Sequence, residues 1–231
     1  MNYSQRPSAD KAIRNIFWII IFGIAMAFAE SAVVAYLRAI YYPEGFTLPL
    51  KPVFDTLIIV EVFREIATIL MLIAVAAIAG KKLWERLSYF LLCFAIWDIF
   101  YYIWLKVLLN WPSTLLDWDI LFLIPLPWIA PVIAPVSVSV LMIVFSLKII
   151  QLLHKGYEFK TALIPRLLTL AGTGIILFSF VRDTGATLHQ QLPQPYMYGL
   201  LLMGELLYVL AFMISYLKSI NPKNANDGRH I

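Results

Sequence analysis

Six stretches of this chain are apolar for about 20 residues each, the length a helix needs to cross the hydrocarbon core of a bilayer. They cover residues 16–37, 56–80, 87–110, 131–153, 162–182 and 197–217. The fifth is the shortest, and its apolar centre needs Ala162–Arg166 to reach full length. No linker between the stretches is long enough for a second domain. Charged residues make up 14% of the chain, where an average soluble domain carries about 25%. The seven tryptophans suit helix ends lying at a lipid–water interface. The reading is an all-α integral membrane protein, residues 1–231 forming a single polytopic domain built as a bundle of six transmembrane helices. The segments show no internal repeat, which weighs against an inverted-repeat transporter.

Orientation follows from the basic residues that flank the spans. Arg6, Lys11, Arg14, Lys81, Lys82, Arg86, Lys148, Lys155, Lys160, Arg166, Lys218, Lys223 and Arg229 fall on one side. Arg38, Lys51, Lys106 and Arg182 fall on the other. The richer side is expected to be cytoplasmic, with both termini there and the protein in the plasma (inner) membrane. The net charge of +4 reflects this asymmetry, and nucleic acid is not an expected partner. Lys11 and Arg14, the apolar run after them and Ala25-Met26-Ala27 outline a signal peptide. That run continues to Leu37, longer than the core of such a peptide, so the segment is read as the first span.

The segment before the fourth span, WPSTLLDWDILFLIPLPWIAPVIAP over residues 111–135, is broken by prolines. Pro125, Pro127, Pro131 and Pro135 cannot all lie within a regular helix. Residues 113–124 are expected to form a short amphipathic helix, with Pro131 in the first turn of span four. The segment is read as interfacial, anchored by Trp111, Trp118 and Trp128. The alternative is a re-entrant element or lid, tolerated where protein or water covers its backbone.

Ionisable residues inside the spans carry most of the functional information, because each costs about 2.5–3.5 kcal/mol to insert. Glu30 lies in span one, Glu61, Arg64 and Glu65 in span two, Asp98 and Lys106 in span three, and Glu205 in span six. Arg182 and Asp183 close span five. At about 1.5 Å per residue, the five acids lie about 9–18 Å below the outer ends of their helices. They share one band in the outer half of the bilayer. On span two, Glu61, Arg64 and Glu65 fall within an arc of about 100°. On span three, Asp98, Tyr101, Tyr102 and Lys106 share a wider one. Tyr198, Glu205 and Tyr208 line up on span six, and Gly23 and Ala27 would let a neighbour approach span one closely.

Pairs such as Glu61 with Arg64, or Asp98 with Lys106, could serve only to hold helices together. Five acids against Arg64 and Lys106 leave at least two without a basic partner, and such acids exchange protons or bind cations. The candidate catalytic residues are therefore Glu30, Glu61, Glu65, Asp98 and Glu205. Arg64, Tyr101, Tyr102, Lys106 and Arg182 are the candidate substrate-binding residues. No motif names a cofactor. Haem and zinc are not expected, since His154, His189 and His230 lie outside the spans and Cys93 is the single cysteine. Neither HExxH nor a Walker A loop is present. The favoured function is a membrane-embedded enzyme acting on a lipid or lipid-linked substrate from the extracytoplasmic side. A small cation- or proton-coupled permease is the second reading, and a non-catalytic subunit of a larger membrane complex the third. Membrane lipids are the expected partners, with a second copy or a complex partner beside them.

Overall fold

The computed structural model describes residues 6–42, 56–124, 126–185 and 191–221. Lys51, Asp55, Pro125, His189, Lys223, Arg229 and His230 lie outside the described residues. Six long helices are present: α1 (Arg6–Tyr41), α2 (Thr56–Ala79), α3 (Leu83–Leu109), α4 (Ile133–His154), α5 (Leu163–Val181) and α6 (Tyr198–Ile220). All six are long and apolar enough to cross a membrane. Each also leaves large apolar side chains exposed along its length, for example Phe63, Ile78, Leu170 and Leu210. In water such exposure would oppose folding. In lipid it costs little, so the chain is a multi-pass membrane protein.

The helices alternate in direction. Asn15 Nδ2 donates to the Ala79 carbonyl at 2.9 Å and ties the start of α1 to the end of α2. Helix α3 is the centre of the bundle and packs on α1, α2 and α4, while α5 and α6 form a second tight pair. Small residues set these approaches, as packing between helices in lipid requires. A Cβ on Gly23 would lie 2.9 Å from Ile96 Cγ2 on α3. One on Gly204 would lie 2.5 Å from Ile176 Cγ1 and 3.0 Å from the Gly172 carbonyl oxygen. The main core gathers Ile19, Ala27, Leu72, Tyr89, Leu92 and Trp97 between α1, α2 and α3.

The proline-broken segment is a β-hairpin, which corrects the helix expected over 113–124. Strand β1 (Trp118–Phe122) pairs antiparallel with β2 (Trp128–Pro131), and the register slips between Ile120 and Phe122. Two local causes account for it. Residues 113–117 are caught in a turn: the Asp117 carboxylate accepts the Ser113 N–H at 2.6 Å and the Thr114 hydroxyl at 2.8 Å. Beyond it, proline disfavours a helical residue before it, while Trp, Ile and Phe suit a strand. Pro131 is the last residue of β2, where its missing N–H breaks no ladder. Pro135, not Pro131, occupies the first turn of α4.

Candidate functional site

The hairpin folds against the helix bundle and is tied to it at several points. Arg38 Nη2, near the end of α1, donates to Asp119 Oδ1 on β1 at 3.0 Å. The Arg38 guanidinium also lies over the Trp111 ring, 3.8 Å from its centroid. The Leu123 N–H, just past β1, donates to both Glu65 carboxylate oxygens at 3.0 and 3.1 Å. From the α5 end, Thr184 Oγ1 donates to the Pro127 carbonyl at 2.7 Å. The hairpin thus supplies an internal partner for a helix carboxylate.

Beneath the hairpin is a cavity of about 700 Å³, within the range of small-molecule sites. All six helices and both strands contribute to its wall. Of the candidate catalytic and substrate-binding residues, Glu30, Glu61, Arg64, Glu65, Asp98, Tyr101 and Tyr102 line it. The Arg64 guanidinium bridges two helices, reaching Glu30 Oε1 on α1 at 2.9 Å and Glu61 Oε1 on its own helix at 2.6 Å. Glu30 also accepts the Trp97 indole N–H at 2.9 Å. Asp98 takes a different partner, accepting the Ser139 hydroxyl of α4 at 2.8 Å. Neither Glu65 nor Asp98 makes an ion pair among the described residues.

Of the candidate site residues, Glu205, Lys106 and Arg182 are not among the residues that line this cavity. Lys106 turns away from Asp98 and donates to the Asn110 and Pro112 carbonyls at 3.3 and 3.0 Å. A cation there satisfies the carbonyls at a helix C-terminus and their dipole. Arg182 is exposed at the end of α5. Glu205 is next to Gly204, the α6 residue that packs on α5, and its Oε1 meets no hydrogen-bond partner among the described residues. Tyr208 represents α6 at the cavity instead, bonded to Thr173 at 2.8 Å.

Two charged residues of the cavity escape a reading based on depth within spans. Arg38 counts only among the basic residues flanking the spans and Asp119 falls in the helix expected over 113–124, yet the pair is buried, with side chains 10% and 2% exposed. Burial pushes the Asp119 carboxyl up to about 6, with Arg38 opposing the shift. The available signal was an acid between Trp118 and Ile120 in an apolar run. Ser139 carried a weaker one, as a hydroxyl in the middle of span four.

Fold and cavity together define a multi-pass membrane protein with a largely apolar chamber, set with carboxylates, under a β-hairpin. No family model matches the chain, and no curated protein or solved structure does either.

Proposed function

We propose that the chain is a membrane-embedded enzyme acting on a lipid or lipid-linked substrate from the extracytoplasmic side. The observation that carries this reading is one cavity that joins acids to an apolar wall. Glu65 and Asp98 sit at its polar part, while Pro135, Val138, Met142, Ile176, Leu177 and Phe180 line the rest. An amphiphile fits such a chamber, with its head among the carboxylates and its chain along α4 and α5. Carboxylates that are not neutralised by a cation can take up and release protons, and positioned proton transfer accelerates a reaction about 10²–10⁴-fold. Arg64, engaged by Glu30 and Glu61, would fix those two carboxylates beside the head group.

The asymmetry of Lys and Arg supports a cytoplasmic location for both termini, in the plasma membrane. The hairpin end would then face outward, and the acids would lie in the outer half of the bilayer. Reporter fusions after Gly80, after Lys155 and at the C-terminus are expected to report cytoplasm. Fusions after Pro49 and Gln190 are expected to report the outside. A C-terminus on the outer side would reverse the model.

The enzymatic reading is tested by comparing lipids. Wild type, Glu65→Gln and Asp98→Asn would be produced at matched levels in host membranes and the total lipids resolved by mass spectrometry. A lipid class altered by wild type alone is the expected result. Unaltered lipids together with cation-driven uptake in proteoliposomes would move the assignment to a permease. Unaltered lipids with a co-purifying membrane partner would move it to a complex subunit.

A further inference from the structure

The charges that line the cavity do not balance. Its described lining residues include five carboxylates, Glu30, Glu61, Glu65, Asp98 and Asp119, but two guanidiniums, Arg38 and Arg64. Both guanidiniums are engaged by acids, Arg38 by Asp119 and Arg64 by Glu30 and Glu61. Glu65 is 6% exposed, and the partner it shows is a backbone N–H. Asp98 has the Ser139 hydroxyl. Asp119 adds an independent sign. The residue is 4% exposed, and although Arg38, the Tyr102 hydroxyl and the Ile120 N–H face its carboxylate, Oδ2 makes no close hydrogen bond among the described residues.

A buried carboxylate oxygen without a donor is costly. An excess of negative charge in a low-dielectric chamber calls for protons or a cation. A metal ion suits the site poorly, because no three His, Cys, Asp or Glu side chains among the described residues converge closely enough to hold one. An organic cation can reach acids that stand apart. Trp97, Tyr101, Tyr102, Phe122 and Trp128 line the same space, and aromatic faces favour ammonium groups over anions.

We infer that the cavity selects an amphiphile with an ammonium head group bearing N–H donors, seated by Glu65 and Asp98. This inference rests on the proposed lipid site and names the chemistry of its ligand. An anionic head group, which the two arginines would suggest by themselves, meets guanidiniums already engaged by carboxylates.

The test uses the full chain purified in a neutral maltoside detergent, at constant pH and ionic strength. Three probes with the same alkyl chain are titrated by native mass spectrometry: dodecylammonium, dodecyl phosphate and dodecyl glucoside. Dodecylammonium is expected to bind at least about tenfold more tightly than dodecyl phosphate, a modest preference for a charged group meeting its counter-charge away from water. Glu65→Gln and Asp98→Asn should each reduce this preference. Glu85→Gln, at the far end of α3, should keep it. Should either cavity variant fail to fold, the ranking of probes on wild type still decides the matter. Equal or tighter binding of dodecyl phosphate or the glucoside would overturn the ammonium inference and leave the lipid site standing. Binding of none of the three would overturn both.

Discussion

Replacing Arg64 with leucine is expected to destabilise the protein by about 3–5 kcal/mol, the usual cost of breaking a buried ion pair by removing one partner. The burial of the group sets this magnitude. The side chains of Arg64, Glu30 and Glu61 are 21%, 12% and 16% exposed, so the pair is far from the exposed case, where the median contribution is about 0–1 kcal/mol. Without the guanidinium, Glu30 would keep only the Trp97 indole of its present partners. A bridge between α1 and α2 would be lost with it. That bridge matters because α2 packs chiefly on α3 and only lightly on α1. Adding Glu30→Gln to the leucine variant should recover part of the loss, since it removes the stranded charge. Thermal melting in detergent measures both. An Arg64→Leu protein that melts together with wild type would mean that water, not Arg64, solvates these carboxylates.

Glu65→Gln and Asp98→Asn should behave in the opposite way. Neither acid neutralises a cation among the described residues, so neither substitution strands one. Glutamine keeps an acceptor for the Leu123 N–H, and asparagine keeps one for the Ser139 hydroxyl. Removing the charge relieves a desolvation cost, so the melting temperature should hold or rise. Turnover of the lipid found in the membrane comparison should fall about 10²–10⁴-fold, as for loss of a general acid or base. Stability gained at the expense of activity is the usual mark of a functional group. Marked destabilisation by both variants would make the acids structural, and the complex-subunit reading would then be the better one. Glu205→Gln is expected to leave turnover unchanged, because Glu205 is off the cavity.

The two arginines show where local spacing succeeds as a guide and where it fails. Arg64 could be placed beside Glu61 from spacing alone, since residues three apart share a helix face. Its second partner, Glu30, lies on another helix, and only the packing of α1 against α2 and α3 brings it within reach. Arg38 is not singled out as a site residue by the sequence because its partner Asp119 is 81 residues away on an element that periodicity does not reveal. Lys106 and Asp98 were both on one helix arc, yet Lys106 found nearer acceptors at the end of its own helix.

The sequence by itself determined the six apolar helices and their alternating course, and it singled out the acids within them. These follow from local quantities: apolar length, the rise per residue, and the cost of charge in lipid. Tertiary structure decided the rest. The rotation of α6 is set by the close contact of Gly204 with Gly172 and Ile176, and it brings Tyr208 rather than Glu205 to the cavity. Residues 118–122 and 128–131 became paired strands because two strands can satisfy each other's backbone groups at a place where prolines forbid a helix. Once paired, that hairpin could offer the Leu123 N–H to Glu65 and Asp119 to Arg38. Depth along a helix is written in the order of residues, but the direction a side chain faces across the bundle depends on which surfaces pack, and that is a property of the whole fold.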